Sequence, residues 1–103
     1  MANRHKDFNE LLASQFKDPE FSQLYILNLI NEEGLSLEDA LKETIISMGL
    51  KTFSTKAEVS IQYISDFINN RKKLSTDTMD KYLRKVFNLK IKIIVELAQD
   101  NVA

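Results

Sequence analysis

The sequence predicts an all-α fold of five to six helices followed by a short C-terminal β-strand. Three observations lead to this class. Helix-starting residues stand ahead of apolar segments with helical spacing. Only two glycines and one proline interrupt the 103 residues. One stretch near the C-terminus alternates instead with a period of two, which is typical of a strand.

The first two helices are predicted from a cap, a proline and a glycine. A helix over about 5–16 is followed by the segment KDPEF, in which Asp18 can accept from free backbone N–H groups and Pro19 suits the first helical position. This second helix is predicted to run through about Glu33 and to stop at Gly34.

The next two helices are short or medium in length. Ser36 and Asp39 have the spacing of a capping box, and the helix they open is predicted to end at Gly49. Thr52 is predicted to cap a short helix of about 53–57.

Two further helices begin at serines. Ser60 is predicted to cap a helix of about 61–69, and Ser75 one of about 76–87. Asn88 can supply the left-handed residue that ends the last helix.

The segment KIKIIVEL, residues 90–97, is the strand candidate, because β-branched and other apolar residues alternate with charged ones. A lone strand leaves its backbone groups unpaired, and no other segment offers a partner strand. We therefore predict pairing between chains, either with the symmetry mate or with a different protein. The alternative is that helix 76–87 continues through this segment.

Composition excludes several classes of function. Apolar residues make up 44% and charged residues 28%, as in ordinary globular domains. The absence of cysteine excludes disulfides and thiolate metal sites, and the single histidine, His5, cannot form a multi-histidine site. No nucleophile–base pair or glycine-rich phosphate loop is present, so neither an enzyme nor a cofactor is predicted. Without a long apolar segment or a signal peptide, we expect a cytoplasmic protein with no membrane partner.

The net charge of −1 hides an asymmetry along the chain. Residues 1–50 carry four cations and nine acids, a net charge of −5. Residues 51–92 carry ten cations and four acids, a net charge of +6. The C-terminal half can therefore meet a polyanion although the whole chain is slightly acidic.

The spacing of small and apolar residues over 53–67 predicts two short helices packed across a tight turn. The packing residues would be Phe53, Ser54, Ala57, Val59, Ile64 and Phe67. This is the internal geometry of a helix-turn-helix, whose second helix lies in the major groove of DNA. The alternative is that the pattern reflects helix packing alone.

Polar residues on and around the second of these helices suit DNA contacts. Gln62 has an amide suited to adenine, and Tyr63 offers a ring to a thymine methyl group. Asp66 can accept from cytosine N4 or repel wrong sequences. The predicted phosphate contacts are Thr52, Lys56, Ser60, Asn69, Arg71, Lys72 and Lys73. The alternative is a solvated polar face followed by a routine charge run.

Two segments resemble known families. FSTKAEVSIQYISDFINNRKKLSTDTMDKYLRKVFNL resembles a Cro/repressor-type (XRE), lambda-repressor-like helix-turn-helix, which implies base reading by Ile61, Gln62, Tyr63 and Asp66. LLASQFKDPEFSQLYILNLINEEG is similar to the lead segment of HigA-like addiction-module antidote proteins. The order of segments matches over nearly the whole chain. One departure is Glu58 at the turn position that is usually glycine. An acid there must adopt a less comfortable backbone or alter the turn.

The resemblance implies an antitoxin of a type II toxin–antitoxin module. Such a protein would bind double-stranded operator DNA as a homodimer, repress its own operon and neutralise an RNase-type toxin, in the bacterial cytoplasm at the nucleoid. Residues 36–89 would form the DNA-binding domain, with 1–35 as an N-terminal helical segment and 90–103 as a strand and tail. The alternatives are a prophage-type repressor without a toxin and a protein-interaction module that has lost DNA binding.

The helix predicted at 19–33 is apolar over more than one face, and the surplus predicts an interface with a second chain. The alternative is that helix 5–16 covers the extra face. The predicted dimer or partner interface comprises Phe21, Tyr25, Leu29, Ile91, Ile93 and Val95.

Overall fold

In the computed structural model, residues 10–98 are described, and they form an all-α fold, as the sequence predicts. Residues 10–15 are helical and are called α1 here; positions 5–9 of the predicted first helix, His5 among them, lie outside the described residues. The following helices are α2 (Pro19–Asn31), α3 (Leu37–Met48), α4 (Leu50–Ala57), α5 (Ile61–Ile68) and α6 (Thr76–Tyr82). The last continues into a π-helical turn, Leu83–Phe87.

Four predicted N-caps are confirmed by hydrogen bonds from backbone N–H groups to the capping side chain. Asp18 accepts from Glu20 at 3.0 Å, and three serines each accept from a residue three positions on at 3.1 Å. These serines are Ser36, Ser60 and Ser75. A cap of this kind contributes about 1 kcal/mol to stability. The helix starts are therefore fixed largely by local chemistry.

The predicted start of the fourth helix is wrong. Helix α4 begins at Leu50, directly after Gly49, and has no side-chain cap, so Thr52 lies inside the helix. Gly49 has φ of 103°, a conformation that residues with a Cβ rarely adopt. Because glycine tolerates it, one residue suffices to redirect the chain from α3 into α4.

Helix α2 also ends slightly earlier than predicted, at Asn31. Gly34 has the predicted left-handed backbone, with φ of 75°, and Leu35 N–H donates to the Leu29 carbonyl at 3.0 Å. Gly34 therefore turns the chain back toward the end of the helix, a few residues beyond the last helical residue.

The last helix ends at Asn88, whose left-handed backbone (φ 57°) was predicted. The prediction of a strand over 90–97 is not met in this chain: residues 89–98 have no regular secondary structure. The alternative, a continuing helix, is not found either. The physical reason is that no other described segment is a strand, so the backbone here has nothing to pair with inside the chain.

One apolar core joins all the helices from α2 onward. Helix α2 packs on α3, α3 on α4, and α4 on both α5 and the π-helical turn. The Phe53 ring lies at the centre, 5.8 Å from the Tyr82 ring and 6.3 Å from the Phe87 ring, measured between centroids. Full burial of such a side chain stabilises the fold by about 1.5–3 kcal/mol. The core thus holds one face of α5 and leaves the other to solvent.

Candidate nucleic-acid interface

Helices α4 and α5 are joined by a turn of only three residues, 58–60. Phe53 and Ala57 on α4 and Ile64 and Phe67 on α5 are at most 1% exposed, and half-buried Val59 packs against the same core. The predicted packing residues are therefore brought together.

The turn keeps a glycine-like shape although Glu58 stands in it. Glu58 has φ of 60° and ψ of 46°. Val59 N–H donates to the Ser54 carbonyl at 3.0 Å and Glu58 N–H to the Thr55 carbonyl at 3.3 Å, the two bonds of a Schellman motif. Of the two alternatives given by the sequence, the less comfortable backbone is the one adopted. A left-handed residue with a Cβ costs about 1–2 kcal/mol.

The Glu58 side chain is paired with a residue 27 positions away in the sequence. Lys85, in the π-helical turn, donates to the Glu58 carboxylate. This hydrogen bond and the positive charge lower the pKa of Glu58. The Glu58 side chain is 72% exposed, so the pair contributes little to stability.

We expect Glu58→Gly to raise the free energy of unfolding by about 1 kcal/mol, because glycine adopts this backbone without the steric cost. Urea denaturation followed by circular dichroism measures the change. Lys85→Ala is the matched control, since it removes the ion pair and leaves the turn unchanged. A larger loss of stability for Glu58→Gly than for Lys85→Ala would contradict the strain at this turn.

The outer face of α5 carries the residues predicted to read bases. Ile61 is 47% exposed, Gln62 is exposed, and Tyr63 and Asp66 are half-exposed. Ser60 is exposed at the start of the helix. The core face and the predicted reading face therefore lie on different sides of one short helix.

Asp66 connects this face to the loop that follows it. Its Oδ1 accepts from Gln62 Nε2 at 2.9 Å and from Arg71 Nε at 3.2 Å. Its carbonyl accepts from the backbone N–H of Arg71 at 2.8 Å and of Lys72 at 3.2 Å. The i,i+4 spacing of Gln62 and Asp66 could have predicted the first contact. The pairing with Arg71 depends on the loop's path and was missed.

Tyr63 contacts a cation of the loop that follows α5. Lys72 Nζ is 4.9 Å from the centre of its ring, a cation–π contact. Burial and the neighbouring Tyr63 hydroxyl raise the pKa of Tyr82 to about 12. Tyr82 is a buried core residue next to the proposed site, and nothing in the sequence pattern connects it with Tyr63.

The basic loop is also held by a residue from α3, which the sequence pattern does not connect with the site. Lys42 Nζ pairs with Glu38 at 3.2 Å, donates to Asn70 Oδ1 and lies 5.1 Å from the centre of the Phe67 ring. Asn70 has a left-handed backbone, with φ of 63°. Lys42 thus stabilises the conformation of the loop, while the cations at positions 71–73 remain at the surface.

The predicted phosphate contacts are all exposed side chains on α4, in the turn or in the loop after α5. Asn69 additionally donates to the Ser65 carbonyl at 2.9 Å. The exposed set comprises Thr52, Lys56, Ser60, Asn69, Arg71, Lys72 and Lys73. The predicted DNA-contacting residues on α4, in the turn and in the loop are therefore all accessible to a partner.

The predicted interface residues on α2 are half-buried by their own chain. The Phe16 ring meets the rings of Phe21 and Tyr25 edge-on, at centroid distances of 5.1 and 5.0 Å. Phe16 therefore covers part of the surplus apolar face, as the alternative explanation has it. Leu24 and Leu27 on the same helix remain 60% and 37% exposed.

No protein-family model, curated protein or solved structure matches this chain. Among residues 10–98, no helix is both long and apolar enough to cross a membrane. Within the same range, no three His, Asp or Glu side chains are grouped closely enough to hold a metal ion.

Proposed function

We propose that α4, the turn and α5 form a helix-turn-helix that binds double-stranded DNA, with α5 in the major groove. The observation that carries this proposal is the division of α5 into two faces. Buried Ile64 and Phe67 fix the helix to the core, while Ile61 and Gln62 on its other face are exposed. A recognition helix needs this arrangement, because its orientation must be fixed before its side chains can select bases.

The charge distribution supports DNA as the partner. The region 51–92 carries a net charge of +6, and the cations 71–73 directly follow α5. Lys56 lies in the last turn of α4, ahead of the same helix. Cations on both sides of α5 in the chain are suited to phosphates on both sides of a groove.

The resemblance to HigA-like proteins extends this proposal to an antitoxin. A homodimer would place its two α5 helices in successive major grooves, about 34 Å apart, on a palindromic operator of its own gene. The acidic half, residues 1–50 with a net charge of −5, is suited to a basic RNA-binding toxin. Association with the bacterial nucleoid would follow from the DNA binding.

A second candidate, a protein-interaction module without DNA binding, is favoured by one observation. The Asp66 carboxylate already engages Gln62 and Arg71, two of the residues assigned to DNA. DNA binding requires at least Arg71 to exchange this partner for a phosphate, whereas an interaction module keeps the contacts.

An electrophoretic shift titration tests the proposal. The probe is a labelled duplex of the DNA upstream of the protein's own coding sequence, and the control is a duplex of the same composition in scrambled order. We expect preferential binding to the upstream duplex, with log Kobs falling linearly with log salt concentration between 50 and 200 mM. Absence of binding to both duplexes at 50 mM salt would overturn DNA binding and favour the interaction module.

We expect Gln62→Ala to weaken binding to the upstream duplex by about 1–3 kcal/mol, because the variant loses an amide that contacts a base edge. Affinity for the scrambled duplex should stay the same. Gln15→Ala is the matched control, an exposed glutamine in α1, remote in sequence from the interface. Equal losses on both duplexes would contradict a base-reading role for Gln62.

A further inference from the structure

The segment 91–97 is anchored at its start and apolar beyond it. Ile91 N–H donates to Asp80 Oδ1 at 2.7 Å, a bond that lowers the pKa of Asp80. Beyond this point Ile93 is 77%, Val95 92% and Leu97 84% exposed. So much apolar surface in one short segment marks an interaction site.

The anchor also determines which edge of this segment is available. In an extended strand the N–H groups of alternate residues point to the same side. The Ile91 N–H is already taken by Asp80, so in an extended chain the odd-numbered residues direct their N–H groups to that side. The backbone groups of Lys92, Ile94 and Glu96 then face the opposite edge, ready for a partner strand.

We infer that residues 91–97 pair with the same residues of a second copy as an antiparallel ribbon centred on Ile94. In this register each Lys92 lies opposite Glu96 of the second copy, and the two Ile94 residues face each other. On the other side of the ribbon, Ile91 pairs with Leu97 and Ile93 with Val95. One face is then entirely apolar, and the other holds two ion pairs around a central isoleucine pair. The inference deepens the proposed function, because it supplies the homodimer on which operator binding rests.

Charge selects this register over its neighbours. Centring on Val95 places Glu96 against Ile94. Centring on Ile93 places Lys92 against Ile94 and draws Leu89 into the ribbon, although Leu89 N–H is bound to the Leu83 carbonyl at 3.0 Å. A parallel pair in register would place Lys92 against Lys92, which is destabilising.

The body of the protein offers a place for the apolar face. Ile91 lines a groove of about 420 Å³ between α2 and the C-terminal segment, together with Leu27 and Ile30. The other odd-numbered residues share the face of Ile91 in an extended strand. Leu97 of the second copy, opposite Ile91, would therefore lie over this groove. A two-stranded ribbon is marginal alone, and packing against α2 gives it the support it needs.

Charge reversal tests the register in the full-length protein without DNA. We expect Lys92→Glu alone, and Glu96→Lys alone, to raise the dimer dissociation constant about tenfold, since each creates two like-charge pairs. The double variant Lys92→Glu/Glu96→Lys should return to within about threefold of the original value. Sedimentation equilibrium measures all four proteins. A double variant no tighter than the single variants, or a protein that is monomeric throughout, overturns the proposal.

Disulfide formation tests the centre of the ribbon directly, because the chain contains no cysteine. The Cα atoms of a hydrogen-bonded antiparallel pair lie about 5.5 Å apart, within the range a disulfide spans. Ile94→Cys should therefore cross-link two copies under mild oxidation, and Ile93→Cys and Val95→Cys should not. Stronger cross-linking at 93 or 95 than at 94 overturns the register. Both tests use the protein alone, so their outcome is separate from whether it binds DNA.

Discussion

Replacing Lys72 and Lys73 together with alanine is expected to lower the affinity for every DNA duplex by about 60-fold at 0.1 M salt. Each phosphate contact contributes about 0.9 to the slope of log Kobs against log salt, so the slope should flatten by about 1.8. Lys72 also loses its contact with the Tyr63 ring, 4.9 Å away. Fluorescence anisotropy with the upstream and scrambled duplexes, over a series of salt concentrations, measures both quantities.

The matched control is Lys81→Ala/Lys90→Ala, which removes the same charge from exposed positions outside 52–73. This variant should keep most of the affinity and the original slope. Equal losses in the two double variants would mean that net charge alone attracts the DNA and that the loop after α5 has no special place in the interface. Lys72→Ala alone should flatten the slope by about 0.9 and weaken both duplexes alike.

Phe67→Ala is expected to lower the free energy of unfolding by about 3–5 kcal/mol. The Phe67 side chain is fully buried on α5, and Lys42 lies over its ring. Truncation leaves a cavity beneath the helix and removes the ring from under the cation. A domain of this size has about 5–15 kcal/mol of total stability, so the variant loses a substantial part of it. Urea denaturation monitored by circular dichroism measures the loss.

Ile61→Ala is the control on the same helix, because Ile61 is 47% exposed and its truncation should cost less than about 1 kcal/mol. Phe67→Leu should fall between the two and keep the fold, which allows DNA binding to be measured with α5 in place. A cost below about 1 kcal/mol for Phe67→Ala would mean that the core does not hold α5, contrary to the burial seen here.

The helix starts were predictable because a cap acts on N–H groups two or three residues away. Ser36, Ser60 and Ser75 all cap their helices in this way. The buried face of α5 was predictable for another reason, because it follows from helical periodicity. The start of α4 was mispredicted at Thr52 because the freedom of Gly49 outweighed a good capping residue. The capping propensity of one residue does not determine at which of two nearby positions a helix begins, because packing also contributes.

The supporting contacts of the interface were beyond prediction for a different reason. Lys42 and Asn70 are 28 residues apart in sequence, and Glu58 and Lys85 are 27 apart. Such pairs depend on how α3 and the π-helical turn pack around α4 and α5, which periodicity does not determine. The prediction of a C-terminal strand is wrong for this chain. An alternating pattern of apolar and charged residues indicates that a segment can pair as a strand, but it does not show that a partner strand is present.

The Asp66–Arg71 contact lowers the number of ions that we expect DNA binding to release. Asp66 already neutralises Arg71, at 3.2 Å, so a phosphate that draws Arg71 away leaves the Asp66 carboxylate free to take up a cation from solution. A phosphate that takes Arg71 exchanges one anion for another inside the interface. The number of ions released on binding should therefore be smaller than the number of cations in contact. The slope of log Kobs against log salt concentration is then smaller than about 0.9 per cation that contacts a phosphate.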